Sequence, residues 1–173
     1  VGTNWVKVKG VHTYEGDLDE VTVWLYFETT RDSKHTFYLD DVFVKETASI
    51  NQIRNPGFEQ SALSPWRTSP STGIDLVRDT DIQRSGEASA SFTPRDSAYS
   101  NMRQQVTMKK DVAYTFSAWV RFDQVHVSGN NLIMKLDYQN STDSSYKVGG
   151  SSYPLVQQVS NVGTDWVNIT GTH

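Results

Sequence analysis

The sequence predicts an all-β protein, a β-sandwich of the jelly-roll type. Apolar and polar residues alternate along short runs, and the breakers Gly, Pro, Asn, Asp and Ser fall between those runs. No segment of about 10 or more residues combines a 3.6-residue apolar period with helix caps. Many short strands in a chain of 173 residues are typical of two packed antiparallel sheets in one domain.

The alternation places eight strands along the chain. Successive side chains of a strand point to opposite faces, so each run offers one apolar face to a core. The predicted strands are residues 5–11, 22–29, 36–44, 88–93, 113–122, 132–138, 155–159 and 166–171.

One stretch of sequence occurs twice. Residues 1–12 read VGTNWVKVKGVH and residues 162–173 read VGTDWVNITGTH, with seven of the twelve positions identical. A single sandwich has one place for such a strand. We therefore expect one copy to fill that place, while the other lies at the sheet edge, packs on a neighbour or pairs with another chain.

Composition narrows the classes of function. The formal net charge is −4 and Lys and Arg form no cluster, so we expect no nucleic-acid partner. No apolar run approaches the roughly 18 to 20 residues that cross a bilayer, so we expect no membrane partner. The chain has no cysteine, which excludes disulfides, thiolate zinc sites and thiol nucleophiles.

The strand at residues 22–28, TVWLYFE, carries the clearest candidate binding residues. Alternation puts Val23, Leu25 and Phe27 on a core face and puts Trp24, Tyr26 and Glu28 on the other face. Aromatic rings pack on the apolar C–H faces of sugars, and a phenol or carboxylate can bond to their hydroxyls. The alternative is that the two rings pack under a loop and the carboxylate is solvated.

Residues 45–52 are small and polar and read as a linker between two strands. A boundary there isolates about 47 residues, too few to hold a core alone. We therefore expect residues 1–47 and 48–173 to complete each other in a single domain.

Several segments resemble carbohydrate-binding modules of family 22, the xylan-binding modules of bacterial xylanases. NPGFEQSALSPW, QRSGEAS, YTFSAWVRF and GTDWVNITGTH are similar to the opening two thirds of such a module. NWVKVKGVHTYEGDLDEVTVWLYFETTRDSKHTFYLDDVFV is similar to the closing third. FYLDDV and NPGFE are shared with neighbouring jelly-roll families, so modules of family 4 or 16 are the alternatives.

The resemblance implies an order of end before beginning, with residues 1–47 closing one module copy and 48–173 opening the next. Because the termini of such modules lie close together, the short linker would produce a circularly permuted sandwich, or strands would exchange between two chains. A strand-swapped dimer is thus a possible partner state, and neighbouring modules of the same enzyme are further partners.

The resemblance also implies a function. Such a module binds xylan or xylo-oligosaccharides without catalysis, and mixed-linkage β-glucan is a second possible ligand. It would serve a secreted, extracellular xylanase as an accessory module.

The family's binding residues carry over in part. Tyr26 and Glu28 match its Tyr-x-Glu, with Trp24 beside them, and Tyr99 stands where a loop tryptophan is usual. A second family tyrosine corresponds to Tyr153 or to Tyr146, which the sequence does not separate. The family's arginine falls near Thr72, and Arg67 is the nearest arginine. The cleft therefore lacks a strong donor at that position.

Structural calcium is also implied. Glu59 of NPGFEQ and Asp41 of FYLDDV would meet where first and last strands join, and carboxylates with backbone carbonyls are calcium ligands. Alternation places Asp40 on the opposite face from Asp41, which makes it the poorer candidate.

Two other classes of function are open. Residues 15–20, EGDLDE, are similar to the acidic strand of jelly-roll glucanases, but Gly16 and the charge density indicate a turn before the strand at Thr22. The other class is a structural spacer with a weakened cleft.

Overall fold

The alternating runs form strands in the structure, a computed structural model that describes residues 5–29, 36–46, 49–69, 75–93, 100–123, 132–159 and 169–170. Within these ranges there are eleven strands. They are β1 Val6–Thr13, β2 Glu20–Thr29, β3 Phe37–Glu46, β4 Arg67–Ser69, β5 Asp75–Asp79, β6 Ser89–Thr93, β7 Asn101–Lys109, β8 Ala113–Phe122, β9 Leu132–Asp137, β10 Leu155–Val159 and β11 Ile169–Thr170.

The strands make two sheets. The first has the order β11-β1-β8-β3-β6-β5, and the second has the order β10-β9-β2-β7-β4. All neighbours pair antiparallel except β1 and β11, which run parallel. The prediction of an all-β sandwich of the jelly-roll type is confirmed.

The core lies between the sheets and is filled by the inward positions of the longest strands. In β2, Val23, Leu25 and Phe27 are each 0% exposed, as alternation requires. The first sheet supplies Phe116 and Val120 of β8 from the opposite side. This burial fixes the register of β2, because a slip of one residue would turn its polar face inward.

The two copies of the repeated stretch take different places. β1 lies inside the first sheet between β8 and β11, and Val8 pairs with Ala118. β11, the described part of the second copy, is the edge strand. The expectation that one copy fills the place in the sheet and the other lies at the edge agrees with this arrangement.

Residues 49–52 of the predicted linker are hydrogen-bonded to both sheets. The Asn51 side chain bonds to the backbone of β3. Its Oδ1 accepts from the Val44 N–H at 2.9 Å and its Nδ2 donates to the Val42 carbonyl at 2.9 Å. Gln52 Oε1 accepts from the Thr107 N–H in the second sheet at 2.9 Å. The segment therefore crosses from one sheet to the other.

Seven of the eight predicted strands reappear, and of the eighth, at 166–171, the structure describes residues 169–170, which form β11. The alternation missed the short β4 and β5 and the long β7. In the described part of the chain, no helix has the length and apolar character needed to traverse a bilayer.

Candidate functional site

The outer face of the second sheet collects the polar side of three long strands. Its central strand β2 presents Trp24, Tyr26 and Glu28 there, since the alternate residues are in the core. Across the sheet, Tyr26 stands opposite Arg103 of β7 on one side and Lys135 of β9 on the other. One row of this face thus places a phenol between two cations.

A cleft of about 540 Å³ opens over this row. That size falls within the range of about 300 to 1,000 Å³ typical of small-molecule sites. Tyr26, 6% exposed, forms part of its floor, and Tyr153, 39% exposed, stands at its rim. The centroids of these two rings are 6.5 Å apart and the ring planes are nearly perpendicular, at 84°. A ligand in the cleft therefore meets one buried ring and one accessible ring.

The charges around the cleft are paired with each other. Lys135 Nζ lies 2.9 Å from Glu28 Oε1, and Arg103 Nη1 lies 4.0 Å from Asp137 Oδ2. Asp137 also accepts hydrogen bonds from the backbone N–H of Asn140 at 3.1 Å and from its Nδ2 at 2.9 Å. The lining is therefore rich in donors and acceptors while its charges balance, which suits a neutral polyhydroxylated ligand.

Arg103 is placed to act on a ligand. Its guanidinium carbon lies 4.5 Å from the centroid of the Trp24 ring, a cation–π contact that fixes the plane of the group. Within the described residues its buried Nε has no hydrogen-bond partner. A planar donor held over an aromatic ring beside an open cleft is suited to bonding with vicinal hydroxyls.

Both phenols of the cleft stay protonated at neutral pH. Burial raises the pKa of Tyr26, and the nearby carboxylates of Glu28 and Asp137 raise it further. Burial also raises the pKa of Tyr153, with a smaller contribution from Asp137. Each hydroxyl can therefore donate as well as accept a hydrogen bond.

A second groove of about 250 Å³ adjoins the cleft on the same face. It is lined by Trp24, Arg67 and Gln105 among others. Arg67 of β4 pairs across the sheet with Arg103, so the two depressions share one row of side chains. Together they form an elongated polar and aromatic surface along the outer face.

Of the two tyrosines that the sequence could not separate, only Tyr153 lines the cleft. Tyr146 packs into a ring cluster, with its centroid 4.8 Å from the rings of Tyr14 and Tyr138. Its hydroxyl accepts from the Glu15 N–H at 3.2 Å. This cluster supports the loop that carries Tyr153, since Tyr14 also donates a hydrogen bond to Asp143.

Some of the predicted binding positions lie among the described residues and others do not. Tyr99 and Thr72 lie outside the described residues. Trp24, Tyr26, Glu28 and Tyr153 come together on the outer face of the second sheet. Tyr26 and Glu28, each 6% exposed, are set much deeper than an open strand surface would place them.

Glu59 and Asp41, the predicted calcium ligands, both lie next to Gly57. A methyl group added to Gly57 would lie 3.7 Å from Glu59 Oε1 and 3.8 Å from Asp41 Oδ1. Glu59 accepts from the Glu87 N–H at 2.9 Å, and Asp41 Oδ2 lies 2.8 Å from Arg84 Nη1. The two carboxylates are neighbours, and Arg84 already neutralises one of them.

Regular alternation predicts that Asp40 and Asp41 face opposite sides of β3, but the strand is irregular at this point. β3 has a register shift between Asp40 and Phe43, and Asp41 has a φ of 48°, so both carboxylates reach the Gly57 turn. Asp40 Oδ2 accepts from the N–H groups of Arg84 and Ser85 at 2.9 and 3.2 Å. Burial raises the pKa of Asp40 to about 6.

A cation at this turn would depend on main-chain oxygens. Among side chains in the described ranges, no group of three or more His, Cys, Asp or Glu is arranged to hold a metal ion. Glu59 and Asp41 supply hard oxygen ligands of the kind calcium prefers, and backbone carbonyls would complete the set.

Within the acidic segment, residues 16–19 form a bend before β2, as the glycine predicts. Residues 16–19 are irregular, and Glu15, Asp17 and Asp19 are exposed. β2 begins at Glu20, two residues before the predicted start. These carboxylates lie at the end of the strand and do not line the cleft.

Three charged residues of the cleft were missed in the sequence: Arg103, Lys135 and Asp137. Lys135 is an outward residue of β9, a strand that alternation predicts at residues 132–138. Arg103 belongs to β7, which was not recognised as a strand. A search for charged outward positions on the predicted strand at 132–138 would have found Lys135 and Asp137, but not Arg103.

Comparison with known proteins gives one match. A family model described as a carbohydrate binding domain matches residues 50–173, more than two thirds of the chain. The match includes Arg103, Lys135, Asp137 and Tyr153 but not β2. No curated protein and no solved structure matches the chain.

Proposed function

Because the chain belongs to a family of carbohydrate-binding domains, we propose that it binds a β-glycan chain in the cleft on the outer face of its second sheet. The observation that carries this proposal is the cleft of about 540 Å³ with Tyr26 on its floor and Tyr153 on its rim, surrounded by paired charges. Carbohydrate-binding modules are generally non-catalytic, so the role is attachment to a polysaccharide.

Xylan or xylo-oligosaccharide is the proposed ligand, and mixed-linkage β-glucan is the second candidate. Tyr26 and Glu28 form the Tyr-x-Glu pair of the resemblance to family 22, and both lie in the cleft. The second groove beside Trp24 extends the same surface, which supports a ligand of several sugar units. In this role the domain would target or stabilise a secreted xylanase, with neighbouring modules of that enzyme as partners.

Arg103 compensates for the arginine that the resemblance requires near Thr72. It belongs to β7, stands opposite Tyr26 and lines the cleft. Hydrogen bonds to a charged donor contribute about 1.5 to 3 kcal/mol, enough to restore a useful affinity.

Calcium is proposed as a structural ligand. Glu59 and Asp41 would hold it at the Gly57 turn, with backbone carbonyls as further ligands. At this turn the Val42 N–H of β3 donates to the Pro56 carbonyl at 2.9 Å, so a cation there would tie together the two parts of the chain. Bound calcium supplies charge neutralisation and rigidity and takes no part in glycan chemistry.

Retention on immobilised glycan in native gels tests the proposal. The chain should be retarded by xylan or mixed-linkage β-glucan, and Tyr153→Ala should lower the affinity derived from the retardation about tenfold, because an aromatic stacking contact worth about 1.4 kcal/mol is lost. Phe43→Ala is the matched control, since Phe43 is a half-buried ring on the outer face of the other sheet. No retardation on either glycan would favour a structural spacer, and sugar release in a reducing-sugar assay would favour a glycoside hydrolase.

A further inference from the structure

The place that β1 occupies in the first sheet has specific requirements, and we call it the β1 slot. It lies beside β8, and it buries Val6 and Val8, which are 2% and 0% exposed. At Gly10 a methyl group would lie 2.3 Å from the Val156 carbonyl oxygen, so only glycine fits. At His12, Nε2 lies 3.0 Å from the Tyr138 hydroxyl. The slot therefore selects two apolar residues, a glycine and a histidine at alternate positions.

The second copy of the repeated stretch offers the same residues at the same spacing. Its differences from the first copy fall mainly at outward positions, where β1 has half-buried side chains. The residues corresponding to Val6, Val8, Gly10 and His12 are Val167, Ile169, Gly171 and His173. Every requirement of the β1 slot is thus met by residues 162–173.

The geometry of β11 relates the two copies directly. β11 pairs with β1 in parallel, and the paired residues are Val8 with Ile169 and Lys9 with Thr170. These are the equivalent positions of the repeat. A lateral shift of one strand spacing, about 4.8 Å, would bring the second copy into the slot with neither reversal nor change of register.

We propose that the β1 slot is a binding site for either copy, and that residues 162–173 of the same chain enter it by displacing β1. The two arrangements make the same ladder with β8 and bury equivalent side chains, so they differ little in free energy. The same chain supplies both strands, so the incoming strand has a high effective concentration and exchange within one molecule prevails over exchange between molecules. This inference is independent of glycan binding.

Valine at the two glycines tests the exchange in the full chain. Gly10→Val should exclude the first copy and Gly171→Val the second, and each should lower the thermal midpoint by less than about 5 °C, since the other copy fills the slot. The double variant should lose more than about 15 °C or fail to fold. If Gly10→Val alone is as damaging as the double variant, or if the double variant is as stable as the parent, the proposal is overturned.

A disulfide shows which strand is in the slot. Lys9 pairs with Ser117 on β8, and the chain has no cysteine of its own. Ser117→Cys with Thr170→Cys in the Gly10→Val background should give an oxidised monomer with one internal cross-link. Ser117→Cys with Lys9→Cys in the parent is the matched control for linkage at this register. Failure to cross-link, or cross-linked dimers by mass, would refute exchange within the chain.

Discussion

At the scale of single residues, the most informative side chain is Arg103. Its guanidinium is held against Trp24 and Asp137, so its position is set before a ligand arrives. Preorganised donors lose little entropy on binding, which is why one arginine can decide affinity.

Arg103→Lys should weaken glycan binding about tenfold or more while leaving the fold intact. Lysine keeps the charge near Asp137 but lacks the planar fork that stacks on Trp24 and spans two hydroxyls. Isothermal titration with the preferred oligosaccharide measures the loss. Arg121→Lys is the matched control, because Arg121 of β8 stacks on Trp5 and Tyr38 in the other sheet. Equal losses for both variants would argue against a special role for Arg103.

His12 should make stability depend on pH. Burial lowers its pKa from 6.5 to about 4, so the folded chain holds the neutral ring while the unfolded chain takes up a proton below pH 6.5. The neutral ring's contribution to the free energy of unfolding is therefore complete above about pH 6.5 and is lost as pH falls towards 4. The loss amounts to about 2 kcal/mol between pH 7.5 and 5. Denaturant unfolding of the parent and of His12→Gln at the two pH values checks this. Identical pH dependence in the two proteins would contradict it.

At the scale of elements, β7 shows where alternation fails. Its inward residues are Met102, Gln104, Val106 and Met108, and the glutamine interrupts the apolar pattern that marks a strand. Gln104 is 2% exposed because it pairs with a backbone segment, a contact between distant parts of the chain. The sequence of the strand does not reveal this partner, so alternation predicts neither β7 nor the outward position of Arg103.

Gln104→Met should destabilise the fold by about 2 to 3 kcal/mol. Its side chain accepts from the Arg54 N–H at 2.9 Å and donates to the Arg54 carbonyl at 3.0 Å. Methionine keeps the volume but leaves both backbone groups without their partner. Denaturant titration measures the difference against Gln105→Met, a change at the exposed neighbouring position. A loss no greater than that of Gln105→Met would mean that the bridge adds nothing.

At the scale of the whole molecule, the sandwich and its core were predictable because both depend on local alternation. The candidate site was predictable at Tyr26 and Glu28, which share a face of one strand, but Lys135 and Asp137 reach the cleft only because β9 pairs with β2. The choice between Tyr146 and Tyr153 depended on the ring cluster around Tyr14 and Tyr138, which joins residues more than a hundred positions apart. The shared orientation of Asp40 and Asp41 depended on a strand irregularity that alternation does not reveal.

Calcium should raise the thermal midpoint of the whole domain. At a concentration a hundredfold above its dissociation constant, a ligand of the folded state adds about 2.7 kcal/mol, or roughly 5 to 10 °C for a chain of this size. Calorimetry with calcium and with chelator measures the shift, and Glu59→Gln should abolish it. Glu87→Gln is the control, because Glu87 contributes its backbone N–H to this turn. Equal midpoints with calcium and chelator would rule out a structural calcium.

Amide chemical-shift mapping shows residue by residue whether the outer face of the second sheet binds glycan. Titration of the labelled chain with xylohexaose, and separately with a mixed-linkage gluco-oligosaccharide, should perturb residues of β2, β7 and β9 around Tyr26, Arg103 and Lys135. The amides of β5, at the far edge of the first sheet, should be unmoved. Perturbations centred on the first sheet, or none with either oligosaccharide, would show that this face does not bind the glycan.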